Sequence, residues 1–148
     1  MSNEIDLELE QIKMKRIQQL MAVKDSPTYG IPEGIIHLTD ANFDTHLKQY
    51  NDIPIFIDYW ADWCRPCKLV APVIDALEKR YRGKMIFAKL DTDRNPHTAQ
   101  RHRIYSIPTF HIFYQGKIID AFSGALPGQQ FEMKIVNVLN KLKKNIEE

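Results

Sequence analysis

The stretch FIDYWADWCRPCKLVAP, residues 56–72, holds the only two cysteines of the chain, Cys64 and Cys67, separated by Arg65 and Pro66. Just before them IPIFIDYW (53–60) is almost wholly apolar, β-branched and aromatic, which suits a strand buried on both faces in a central sheet. From Cys64 the sequence CRPCKLVAPVIDALEKRY (64–81) turns helical, with Val70, Ile74 and Leu77 on one face and Pro72 expected to kink it. The cysteines therefore open a helix at the carboxyl end of a strand. Asp58, inside the strand, is a carboxylate where burial penalises charge, and it calls for an explanation.

Working outward, IIHL (35–38) reads as a short strand, and TDANFDTHLKQY (39–50) as a helix capped by Thr39 or Asp40. KMIFAKL (84–90) is a further buried strand, and NPHTAQRHR (95–103) a short helix with Asn95 as cap and Pro96 at its first position. TFHIFYQ (109–115) and KIIDAF (117–122) form a hairpin turning at Gln115-Gly116. A last helix runs from Pro127 to about Ile146, with Phe131, Ile135, Val138, Leu142 and Ile146 at helical spacing. The order βαβαββα predicts an α/β domain with a mixed sheet: helical crossovers impose parallel pairing and the tight final turn an antiparallel hairpin. Ahead of it, residues from about Ile5 to Val23 suit a helix, and KDSPTYGIPEG (24–34) a linker. The expected division is an N-terminal extension, 1–34, and one domain, 35–148.

The totals exclude several roles. At 148 residues and 44% hydrophobic content the chain has material for a real core without a disulfide scaffold. Lys+Arg 20 against Asp+Glu 19 leaves a net charge of +1, so no basic field holds nucleic acid. The start, MSNEIDLELEQIKMKRIQQLMAV, is a poor secretory signal, and no apolar run approaches the roughly 18 residues that span a bilayer. A cytoplasmic setting without membrane or nucleic-acid partners is expected. There a cysteine pair is catalytic or metal-binding more often than a permanent crosslink, and a bridge three residues long closes too short a loop to stabilise much.

A helix start presents unpaired N–H groups and a partial positive charge, which favour thiolate over thiol. Cys64, at the entry, is the expected nucleophile, and Cys67, one turn on, is placed to attack a mixed disulfide at Cys64. The rival reading is zinc, with His97 and His102 downstream. Their distance from the cysteines is about twice the 12 to 15 residues of a zinc finger, and they lie on a separate helix. No metal is expected. Of the five histidines, His111, in the strand beside Pro108, is the best candidate for a direct chemical role.

IDYWADWCRPCK (57–68), KLDTDRNPHTAQRHRIYSIPTF (89–110) and FYQGKIIDAFSGA (113–125) together resemble the thioredoxin family, over a span from about Ile35 to the C-terminus. The resemblance implies the thioredoxin fold, with an extra N-terminal helix here, and reduction of protein disulfides by Cys64 (nucleophile) and Cys67 (resolving). Trp60 and Trp63 would frame the site. Asp58 would be a buried acid/base beneath the cysteines and Lys89 its neighbouring cation; a purely structural ion pair is the alternative, and both readings predict that the two touch. Ile107-Pro108 would be a cis peptide whose backbone pairs with an extended client, a trans proline at a strand entry being the alternative. Trp63, Arg65, Pro66, Gly124 and Ala125 would complete the docking surface. The resemblance implies no bound cofactor. The Cys64–Cys67 disulfide would be recharged by an external flavin-dependent thioredoxin reductase, and disulfide-containing proteins would be the clients.

Departures from the family concern the rim. Arg65-Pro66 stands where Gly-Pro is common, and a guanidinium beside Cys64 should favour the thiolate and make the disulfide more oxidising, unless solvent screens it and it selects acidic partners instead. Ser123 and Ser106 also depart, at positions where substrate preference is set. The extension is expected to pack on the domain or trail in solvent, leaving a monomer, with a dimer or partner-binding helix as the alternative. Two rival functions stay open: a thiol oxidase or disulfide isomerase of the same fold, and a non-catalytic binding module.

Overall fold

The computed structural model of the protein describes residues 30–147, with side chains through residue 144. The helix expected near Ile5 to Val23 and most of the linker fall outside the described residues. The described elements are β1 (Ile36–Leu38), α1 (Phe43–Gln49), β2 (Ile55–Trp60), α2 (Arg65–Arg80), β3 (Ile86–Asp91), α3 (Pro96–Arg101), β4 (Thr109–Tyr114), β5 (Lys117–Ser123) and α4 (Gly128–Glu147). Pro72 falls inside α2, which continues to Arg80.

The five strands form one sheet in the order β1-β3-β2-β4-β5. β1, β3 and β2 run parallel, while β4 pairs antiparallel with both β2 and β5, the mixed sheet expected from the element order. β2 is thus paired on both edges, with Asp58 beside Lys89 on one side and Phe110 on the other. The β4–β5 turn places Gln115 at φ 52° and Gly116 at φ 76°, the left-handed pair that matches the twist of a two-residue hairpin.

Alternation along the strands separates two cores. Phe56, Phe87, Phe110 and Ile112 face α2 and α4, where Val70, Ile74, Leu77, Phe131, Ile135 and Val138 close over them. Phe110 and Phe131 meet edge to face at 4.9 Å between centroids. Each such buried side chain contributes about 1.5–3 kcal/mol of transfer free energy, so this layer anchors the sheet. On the opposite face Phe43 of α1 packs against Phe113 and against His102, just past α3.

One helix cap is as expected and one differs. α1 begins at Phe43 behind a turn that Thr39 caps: Thr39 Oγ1 accepts from the Asn42 N–H (3.2 Å), and Asn42 Oδ1 accepts in return from the Thr39 N–H (2.7 Å). Asp40 instead caps α3, accepting from Thr98 N (2.8 Å), Thr98 Oγ1 (2.6 Å) and His97 N (3.3 Å). Asn95 precedes α3 without capping it; its side chain accepts from Asp40 N (2.9 Å) and donates to Asp91 O (3.0 Å). The tertiary fold supplies a carboxylate, which suits the positive end of α3 better than a neutral amide does.

His111 is a correction. It projects from β4 into the core on the α1 side, where the buried Tyr59 hydroxyl lies 3.2 Å from its Nδ1. Burial, with His102 nearby, pushes the His111 imidazole down to about 4, and burial raises Tyr59, so a neutral imidazole and a protonated phenol share this hydrogen bond. A histidine held neutral in this way stabilises the fold above its unfolded value of about 6.5, and the contribution is lost as pH falls from there through about 4. The expected loss is on the order of 3 kcal/mol. Urea unfolding between pH 7 and pH 4 checks this: His111→Gln, which keeps an acceptor for Tyr59, should flatten the pH dependence, and an equally steep profile would contradict the assignment.

Candidate active site

Cys64 is the N-cap of α2, with extended backbone (φ −84°, ψ 104°), and its Sγ accepts from the Cys67 N–H at 3.2 Å. The turn before it is closed by Cys64 N donating to Ala61 O (3.1 Å). Pro66 sits in the first turn, where a missing N–H costs nothing, so the sequence favours a helix start here. Cys64 and Cys67 are joined as a disulfide, nearly buried in a small cluster with Ala61, against which Trp60 and Ile107 pack. Among the described residues no three of His, Cys, Asp or Glu come together as a metal-binding group. His97 is exposed on α3 and His102 packs on Phe43.

Asp58 shares its strand face with Phe56, the face covered by α2, whose first turn carries Cys67. It is 1% exposed and its Oδ1 has no hydrogen-bond partner. Desolvation dominates and raises its carboxyl from 3.8 to about 7, with the Lys89 charge pulling the other way. Lys89 is its neighbour in the β2–β3 register and its charge acts on the Asp58 carboxyl, although among the described residues the two form no ion pair. Lys89 is only half-buried and lines a surface cleft of about 320 Å³ with Trp60, Asp62 and Asp91. Bringing its ammonium inside would cost desolvation that a buried pair repays only with ideal geometry.

The remaining expected residues gather around the disulfide by three routes. The Ile107–Pro108 peptide is cis, and Ile107 packs on the cysteine cluster. Gly124, at φ 95°, where L side chains are strained, donates its N–H to Pro108 O at 2.9 Å, which brings the β5 end to the same place. Ala125 follows it at the surface. Trp63, Arg65 and Pro66 are exposed in the turn that carries Cys64, Trp63 being 70% exposed.

Sequence reasoning missed Asp93. The Trp63 indole N–H donates to Asp93 Oδ2 (2.8 Å), tying the exposed ring to the loop after β3. That loop is ordered by Asp91, whose Oδ1 accepts from the Asp93 and Arg94 amides (3.0 and 3.3 Å). The run DTDRN (91–95) is dense in such turn-forming side chains, which was the available signal.

Comparison with known proteins agrees with this geometry. The thioredoxin family profile matches residues 34–137. The chain is 43% identical over 90 residues to a thioredoxin of Synechocystis sp., covering 61% of this chain and 83% of that protein. It is 44% identical over 97 residues to a thioredoxin of Chlorobaculum thiosulfatiphilum, covering 66% and 89%. It is 38% identical over 103 residues to the chloroplastic thioredoxin M4 of Arabidopsis thaliana, covering 70% and 53%. With a disulfide at the start of α2, a cis peptide beside it and a profile match over most of its length, the chain belongs to the thioredoxin family of protein-disulfide oxidoreductases.

Proposed function

We propose that the protein reduces disulfides of protein clients, with Asp58 as the proton acceptor of the resolving step. The observation that carries this reading is the Cys64–Cys67 pair at the start of α2, with the buried Asp58, whose Oδ1 has no hydrogen-bond partner, on the strand face that α2 covers. In the first step the Cys64 thiolate attacks a client disulfide. The client S–S bond breaks, a Cys64–client S–S bond forms, and one client sulfur leaves as thiolate. In the second step Cys67 gives its proton to Asp58 and attacks Cys64 Sγ. The second client sulfur leaves, and the Cys64–Cys67 disulfide seen in the structure forms. Two electrons have passed to the client, whose thiolates take up protons from water.

A carboxyl at about 7 is half-ionised at neutral pH, so it takes the Cys67 proton and returns it without a large mismatch. Lys89 holds that value below where burial alone would put it. Trp63, Arg65, Pro66, Ile107, Pro108, Gly124 and Ala125 form the docking surface, where the Ile107 backbone pairs with an extended client segment. Recharging takes two electrons and two protons from a partner; thioredoxin reductases serve the family, and a flavin-dependent one is proposed here. The dithiol form persists only in a reducing compartment, for which the cytoplasm is proposed. The extension, 1–34, is read as an appendage to the domain, 35–148. Because Arg65 is exposed, solvent screens its charge, which favours a reductant over the oxidase or isomerase reading.

Two measurements follow. With a disulfide-linked model protein as client, Cys64→Ser should abolish exchange and Cys67→Ser should accumulate the mixed disulfide. Asp58→Asn should slow resolution by about 10- to 10²-fold at pH 7. An unslowed Asp58→Asn variant would remove Asp58 from the mechanism. The second concerns stability. Because the folded Asp58 value is raised, its contribution is fully present below about 4 and is lost as pH rises through about 7. Oxidised Asp58→Asn should therefore gain on the order of 3 kcal/mol relative to wild type between pH 4 and pH 8 in urea unfolding. A stability difference that does not change with pH would contradict the raised value.

A further inference from the structure

We propose that Arg65, with Lys68 one turn behind it, selects client disulfides whose cysteines are flanked by carboxylates; the inference rests on the reductase reading above. Of the described arginines, Arg80, Arg82, Arg94 and Arg101 each have a carboxylate partner, at 2.7, 2.7, 3.7 and 2.9 Å. Arg65 and Arg103 have none among the described residues, and neither has Lys68. Arg65 directly follows Cys64, and Arg103 precedes the segment that delivers Ile107 to the disulfide.

The first turn of α2 contains no acid, although carboxylates are the side chains a helix start favours. Two cations there oppose local stability, a conflict that sequences retain where function requires it. Two of the nearby acids are held by other groups. Asp93 is bound to the Trp63 indole, and Asp91 to its own loop amides and Arg94. Asp62, two residues before Cys64, is exposed and is the one opposing charge left in that turn. An exposed guanidinium acts weakly on the sulfur behind it, but it meets directly whatever docks against Cys64. Such rim charges set encounter rate and partner choice.

Three peptides with the same disulfide, flanked by Glu, Gln or Lys, test this through kcat/KM. Wild type should favour the Glu peptide over the Lys peptide by about fivefold or more at low salt, and the ratio should approach one in about 0.5 M salt. Arg65→Gln should shrink the ratio, and Arg65→Gln with Lys68→Gln should bring it near one. Because the ratio is taken within each protein, a general loss of activity in a variant does not affect it. A wild-type ratio of one, or a ratio unchanged in the double variant, would overturn the inference and leave the reductase reading standing. Failure of wild type to reduce any of the three peptides would overturn both.

Discussion

The site depends on the full enclosure of β2, which is hydrogen-bonded along both edges and covered on both faces. Enclosure makes the strand rigid and leaves Asp58 nowhere to be solvated. The same enclosure fixes where the strand can end, and the chain leaves the sheet at Trp60 to begin α2 at Cys64 and Arg65. The buried carboxyl proposed as proton acceptor and the thiol pair are thus set by one element and the turn that follows it. Asp58 shares its face with the aromatic layer of Phe56, Phe110 and Phe131, whose rings pack on one another, while the cysteines sit in a separate cluster with Ala61. Keeping a carboxyl in so enclosed a place is an energetic cost, of the kind that proton-transfer sites carry.

Much of this was legible in the sequence because it is local or periodic. The apolar run through Asp58, the helical spacing after Cys64 and the Gln115-Gly116 turn each follow from neighbours a few residues apart. What was not legible depends on partners brought together by the sheet. Asp40 caps a helix 58 residues away in sequence, at Thr98, and no local rule sees it. Tyr59 and His111 are 52 apart, and Trp63 and Asp93 are 30 apart. For Asp58 and Lys89 the sequence correctly implied adjacency, which the β2–β3 register provides. It could not say that the lysine stays at the surface, because that depends on how much water reaches a cleft at the sheet edge.

Membership in a family does not by itself assign a client. This site has a buried part, Asp58 and the cysteine pair, and an exposed rim. Arg65 stands in the open beside Cys64, where a docking client would meet it first. The division is physically reasonable. Buried groups feel little screening and set the proton transfer, whereas exposed charges feel salt and set the encounter.

Enclosure, opposed by the Lys89 charge, raises the Asp58 carboxyl into the range that the proposed service to Cys67 requires. The most direct measurement is a titration of the Asp58 side-chain carboxyl in the oxidised protein, followed by carbon-13 NMR and assigned with Asp58→Asn. A midpoint near 7 is expected. A midpoint near the ordinary 3.8 would mean that Asp58 is solvated or paired after all, and would contradict its role as proton acceptor.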